Sequence, residues 1–200
     1  MLAQQMKRQT REDRILLRLD KFNFLTSKQL NKLESLAGMR NTQRILNEME
    51  SDRLLLSVRT ERKVYYLSNK GKERIGSTQA ELKRNKITHT LMRNDLYIKL
   101  GMPNSWRNEK PIKLNKEVFL IPDASYEYKG EHHFVEIDNK QTMRTNIDKI
   151  KKYKELSNVI FKNYNHTPTL IWYSLSEVRK VKLKEICEKI GIKYTIHGNM

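Results

Sequence analysis

A single cysteine, Cys187, stands in the whole sequence. One thiol allows no internal disulfide and no cysteine metal cluster. With Ile186 and Ile190 at helical spacing around it, Cys187 reads as a small buried hydrophobe. The five histidines are scattered. His132 and His133 adjoin, but no spacing resembles a zinc site. No apolar run approaches the ~20 residues that cross a bilayer, so no membrane partner is expected. The start, MLAQQMKRQTRED, has no apolar stretch after its charges and does not read as a secretory signal. The expected location is cytoplasmic. Repeats and low-complexity tracts are also missing.

Negative charge is in short supply as well. The chain has 40 Lys and Arg against 23 Asp and Glu, a net charge of +17 and a pI near 9.9. Residues 1–80 carry 17 basic and 9 acidic residues (+8), and residues 81–200 carry 23 and 14 (+9). The excess is spread over both halves. It favours a polyanionic partner, nucleic acid before an acidic membrane surface. Hydrophobic content of 38%, arranged in periodic segments, argues against disorder. Two hundred residues suffice for one large domain or two small ones.

The N-terminal third predicts a compact basic module. Ile15, Leu16, Leu17 and Leu19 give residues 10–21 an apolar helical face, with Thr10 as N-cap. A second helix starts at Thr26 or Ser27, carries Leu30, Leu33 and Leu36, and ends at Gly38. A third starts near Asn41 and turns Ile45, Leu46 and Met49 inward. Two short helices with a tight glycine junction are the helix-turn-helix signature. Residues 54–58 and 64–67 follow as β-prone runs around the charged turn RTERK, and SNKGKERIG reads as a short closing helix.

Over residues 10–76 this order resembles the winged-helix DNA-binding proteins. The resemblance implies that the third helix enters the major groove and that Thr42, Gln43, Arg44 and Asn47 reach base edges. Arginine matches guanine, and asparagine or glutamine matches adenine, through paired hydrogen bonds. Lys28, Arg40, Arg59, Arg62 and Lys63 are placed to meet phosphates. Glu48, Asp52 and Glu61 interrupt the basic surface, and a protein-interaction role is the rival reading.

Residues 77–86, STQAELKRNK, read as a linker able to be helical. A second domain is expected over 87–200. It opens with a helix over 87–100, followed by strands at 106–114, 117–123 and 134–140. A helix at 143–156, the apolar strand TLIWYS at 169–174, a basic helix at 176–190 and a last strand at 192–196 complete it. The densest chemistry lies in FLIPDASYEYKGEHHFVEIDNKQ. Alternation along a strand puts Phe134, Glu136, Asp138 and Lys140 on one side, with Val135 and Ile137 on the other. An antiparallel neighbour brings Asp123 towards them. Carboxylates so clustered repel unless a cation or a proton is shared, and a hard divalent ion takes oxygen ligands.

Pro122-Asp123, a hairpin and then Glu136 followed by Asp138 and Lys140 resemble the PD-(D/E)xK nuclease fold, and the element order helix, three strands, helix, strand agrees. The wording IPDASYEY…HFVEIDNK is more specifically similar to the replication-relaxation family of plasmid and mobile-element proteins. That family joins a winged helix to a nuclease-like domain. The resemblance implies an α/β chain, α+β overall: a winged helix-turn-helix followed by a PD-(D/E)xK-like mixed sheet flanked by helices. Asp123 and Glu136 match the two metal-holding acids. Asp138 stands where the assisting lysine is expected, and Lys140 is its substitute two residues on. Catalysis would thus fall to Asp123, Glu136 and Lys140, and Mg2+ or Mn2+ to Asp123, Glu136 and Asp138. No metal is expected if the site is degenerate, as Asp138 in the lysine's place suggests. Lys149, Lys151 and Lys152 read as a solvated basic face, with one of them as another stand-in for the lysine. The implied function is DNA binding in plasmid or mobile-element replication, mobilisation or their regulation. The alternatives are a Mg2+-dependent endonuclease or nickase, and an adaptor in a replication complex. The implied partners are double-stranded DNA and plasmid replication or relaxosome proteins; a homodimer is left open.

Overall fold

The computed structural model describes residues 2–198. The chain divides into two compact units, residues 1–98 and 99–200, and the architecture is mixed α/β.

In the first unit, α1 (Leu2–Phe22) buries Ile15, Leu16, Leu19 and Phe22. It begins well before the expected residue 10, because its exposed opening is made of good helix formers. Thr10 is therefore no N-cap; its hydroxyl donates to the Met6 carbonyl at 2.9 Å from within the helix. β1 (Leu25–Thr26) leads into α2 (Ser27–Glu34). Thr26 caps α2 as expected, accepting from the Gln29 amide while the Gln29 side chain accepts from the Thr26 amide. Ser35, at φ 49°, ends α2. Gly38 instead opens α3 (Gly38–Ser51), which buries Thr42, Ile45, Leu46 and Met49. β2 (Leu55–Arg59) and β3 (Lys63–Leu67) form the expected hairpin, and β1 pairs with β3 to give the order β1-β3-β2. Ser68 caps α4 (Asn69–Ile75). At Gly71 a Cβ would lie 2.2 Å from the Leu54 carbonyl oxygen, so only glycine fits there.

Residues 77–83 are irregular and lead through a 3-10 turn (Arg84–Lys86) into α5 (Ile87–Lys99). This helix belongs to the first unit, not to the second domain in which the sequence had placed residues 87–98. Polar locks hold it there. Asn94 donates to the carbonyls of Phe22 and Phe24 at 3.1 and 2.8 Å. Gln29 donates to the Leu91 carbonyl and to Asp95 at 3.0 and 2.8 Å. The rings of Phe22 and Tyr97 meet at 4.8 Å.

The second unit is built on a five-stranded sheet of order β10-β9-β8-β7-β4. Its strands are β4 (Arg107–Asn108), β7 (Ala124–Tyr128), β8 (Glu131–Asp138), β9 (Thr169–Ser174) and β10 (Tyr194–His197). β4, β7 and β8 run antiparallel; β8, β9 and β10 run parallel. A separate two-stranded sheet joins β5 (Ile112–Leu114) and β6 (Glu117–Leu120). α6 (Met143–Tyr164) and α7 (Glu177–Ile190) pack on the face that carries Phe134, Leu170 and Trp172, contributing Ile150, Leu156, Leu183 and Cys187 to one core.

Two strand assignments change. The expected strand at 106–114 is broken into β4 and β5 where Glu109 takes φ 46° and Pro111 follows. The expected strand at 117–123 stops at Leu120. Pro122 has no N–H to give a ladder, so the chain leaves one sheet there and enters another. β8 therefore pairs with residues 124–128, through a two-residue turn at Lys129 (φ 51°) and Gly130 (φ 79°). Positive φ at both positions suits the twist of a tight hairpin. Among the described residues, no helix is long and apolar enough to cross a membrane.

Candidate functional site

β8 aims Phe134, Glu136 and Asp138 at the helices, as alternation predicts. Asp123 sits just before β7, and its Oδ2 accepts from the Ile137 amide at 2.7 Å, which pins it beside Glu136. Glu136 is 1% exposed. The Lys149 ammonium lies 2.5 Å from its Oε2, and the Tyr153 hydroxyl donates to its Oε1 at 2.7 Å. Lys149 and Tyr153 are four residues apart on α6, hence on one face of it. A cavity of about 170 Å³ opens here, lined by Leu120, Ile121, Glu136, Lys149, Lys152 and Tyr153. Burial first, and then the neighbouring Asp123 charge, push the Glu136 carboxyl up to about 8, against the pull of Lys149 and Tyr153. Burial and the Glu136 charge push the Tyr153 phenol well above its ordinary value.

Asp138 lies two residues on but in a different setting. It takes both Nε (2.6 Å) and Nη2 of Arg179, the Asn146 amide at 2.8 Å and the Ser174 hydroxyl at 2.9 Å. Burial alone would raise its pKa, yet these donors outweigh it and hold the carboxyl below its ordinary value. Arg179 also donates to the Gln141 carbonyl at 2.7 Å.

The sequence reading placed Asp123 and Glu136 together, and the structure does so. It does not bring Asp138 into the same group. Lys140 lies past the end of β8 and is exposed; the lysine at Glu136 is Lys149. Among the described residues, no three of His, Cys, Asp and Glu gather into a group able to hold a metal. Both Glu136 oxygens are engaged by Lys149 and Tyr153, and both Asp138 oxygens by Arg179, Asn146 and Ser174. These donors make two internally satisfied acid clusters. Reading the sequence missed Tyr153, Asn146, Ser174 and Arg179. The four-residue spacing of Lys149 and Tyr153 was a usable signal; nothing local marked Arg179.

A second candidate surface lies on α3. Arg40, Gln43, Arg44 and Asn47 are exposed along one side of it. With Arg8 from α1 they line a shallow open hollow of about 750 Å³. Arg44 is braced by Glu48 at 2.5 Å and Asn41 at 3.0 Å. Lys28, Arg59 and Arg62 are exposed on α2 and at the β2–β3 turn. Two residues depart from expectation. Thr42 is fully buried: it donates to the Gly38 carbonyl at 2.9 Å and accepts from Asn31 at 2.8 Å, so it faces α2 and not solvent. Lys63 is drawn to Glu50 at 2.6 Å and sits over the Tyr65 ring.

The sequence profile of the replication-relaxation family matches residues 16–170. The chain belongs to the replication-relaxation family. Membership associates it with the replication of plasmids or mobile elements. No curated protein matches the sequence. Among solved structures, a loose likeness extends to Can2 from Sulfobacillus thermosulfidooxidans in complex with cyclic tetra-adenylate, with 12% identity and a TM-score of 0.38. The match covers 94% of this replication-relaxation chain and 48% of that one, so the chain spans about half of that protein's length.

Proposed function

We propose that this replication-relaxation protein binds duplex DNA of a plasmid or mobile element through its first unit, in replication, mobilisation or their regulation. On this reading the first unit is a winged helix with α3 as its recognition helix. The second unit is of the PD-(D/E)xK type, adds backbone contacts and does not cut. The observation that carries the reading is the two-sidedness of α3. It buries Ile45, Leu46 and Met49 and presents Arg40, Gln43, Arg44 and Asn47 to solvent. Two of these are amides suited to adenine and two are guanidiniums suited to guanine or phosphate. On the same reading the β2–β3 hairpin, tipped by the exposed Arg59 and Arg62, is the wing that meets the backbone. In the second unit, Lys149 and Tyr153 engage both oxygens of Glu136, and Arg179 engages both of Asp138, which favours a retired site over a working one.

The test has two arms. Selection of bound duplexes from a random pool gives the preferred site; the double variant Gln43→Ala/Asn47→Ala loses that preference and keeps a salt-dependent residual affinity. Affinity that does not change with salt would remove the DNA reading and promote an adaptor role. In the other arm, supercoiled plasmid is incubated with the protein and Mg2+ or Mn2+, with EDTA as control. Shifted but uncut plasmid is expected. Metal-dependent nicking that disappears in Asp123→Ala would make the protein a nuclease instead.

A further inference from the structure

Against the later half of α6, beyond Tyr153, the second unit has a hollow of about 350 Å³ that the acid clusters do not use. Leu114, Phe134, Leu156 and Ile160 form the apolar part of its wall, and Ser105, Ser125, Glu127 and Asn163 the polar part. His132 and Tyr164 add aromatic surface, their rings 5.7 Å apart. His166 stacks on His132 at 4.9 Å, and its Nε2 lies 2.9 Å from His132 Nδ1, which fixes the plane of the His132 ring. Burial lowers the His132 pKa, so at neutral pH the ring offers a neutral aromatic face. The rim carries Arg107, Lys110 and Lys113, all exposed. No hydrogen bond or ion pair engages their side chains among the described residues.

An aromatic wall beside three unengaged cations is complementary to a flat heterocycle joined to an anion. A nucleobase on its phosphate has that chemistry: bases stack on aromatic rings whatever their sequence, and cations track the backbone. The volume is at the small end of ligand pockets, which run from about 300 to 1,000 Å³. It suits one unstacked nucleotide and not a paired duplex.

We propose that this hollow binds a single unstacked nucleotide, its base against Tyr164, His132 and Phe134 and its phosphate on Arg107, Lys110 and Lys113. The nucleotide comes either from a single strand or as a free mononucleotide. Placement favours the strand. The hollow and the Glu136 cavity share α6, and at about 1.5 Å per residue their centres lie roughly 13 Å apart along it. A strand seated in the hollow therefore has a short path past Glu136. This inference goes beyond duplex binding by the first unit and does not depend on it.

The experiment measures binding of the full chain by fluorescence anisotropy, with labelled oligo-thymidylate, a labelled blunt duplex, and unlabelled thymidine monophosphate as competitor. Tyr164→Ala changes no charge, and Tyr164 is 65% exposed, so the fold tolerates it. The expected result is single-strand affinity weakened about tenfold, with duplex affinity unchanged. The double reversal Lys110→Glu/Lys113→Glu weakens single-strand binding further and duplex binding much less. Competition by the monophosphate in the wild type but not in Tyr164→Ala would assign the hollow to free nucleotides too; strand binding without such competition would assign it to the strand alone. Single-strand affinity unchanged in Tyr164→Ala, or equal losses for strand and duplex in the charge reversal, would overturn the proposal. Strand binding that persists while duplex binding fails would count against the function proposed above and in favour of this one.

Discussion

Arg40, Gln43 and Asn47 stand in solvent on α3, whereas Glu136 and Asp138 on β8 are 1% and 3% exposed. On α3 these polar residues point outward from a helix anchored by leucine, isoleucine and methionine. On β8 the two acids are folded around buried partners. In water a cation is available to any anion that approaches, and its energy is small. Inside the second unit each charge is spoken for, and removing a partner strands the other without solvent. The surface is therefore cheap to alter for stability, and the interior is not.

The strongest way to sharpen that contrast is Arg179→Ala, which leaves Asp138 buried without its guanidinium. A loss of about 3–5 kcal/mol is expected, confined to the second unit. Both tryptophans of the chain, Trp106 and Trp172, lie in that unit and are buried, so their fluorescence during urea unfolding reads it separately. Pairing the change with Asp138→Asn should recover most of the loss, since no charge is then stranded.

Next in size is a pH effect of opposite sign at the two acids. Folding lifts Glu136 from its ordinary 4.5 to about 8. The folded state then binds a proton that the unfolded state has released, so stability declines as pH rises through this window and the loss is complete above about 8. Asp138 is lowered on folding, so its contribution is present above the ordinary carboxylate range and disappears as acid protonates it. Tryptophan-monitored stability should therefore peak at mildly acidic pH. Glu136→Gln should abolish the alkaline decline, worth about 4 kcal/mol between pH 5 and 9, and leave the acid limb in place. A flat profile from pH 5 to 9 in the wild type would break the contrast between the two acids.

Effects on the outer surface are smaller and appear in binding alone. Gln43→Ala and Asn47→Ala should each cost about 1–3 kcal/mol of discrimination at one base pair, with urea unfolding unchanged. Arg59→Ala should weaken all duplexes alike and reduce the salt slope by about one. Lys63→Ala should do least, because Glu50 already holds its ammonium. Its cost is below about 1 kcal/mol of stability, with little change in the salt slope.

How much could be read beforehand follows the same divide. Periodicity located α3, the β2–β3 hairpin and TLIWYS, because one face of each meets a core and the pattern is local. The outward residues of α3 followed from the same period, except Thr42, whose small hydroxyl satisfies Gly38 and Asn31 inside. A threonine among polar neighbours gives no sign of that. Pro122 was visible, but the chain's change of sheet there depends on a partner, residues 124–128, that nothing nearby selects. Asp123 and Glu136 were legible as a pair; Asp138 was misplaced because its partner Arg179 lies on α7, 41 residues on. α5 was given to the wrong unit because Asn94 and Gln29 fasten it through backbone carbonyls, which sequence does not display.

The Thr42–Asn31 bond has an evolutionary consequence. It sets the junction of α2 and α3 from the inside, with groups that no ligand of the outer face touches. The exposed positions 40, 43 and 47 take no part in that fastening. If α3 reads DNA as proposed, its preference can be rewritten at those positions while the junction at 31 and 42 stays as it is.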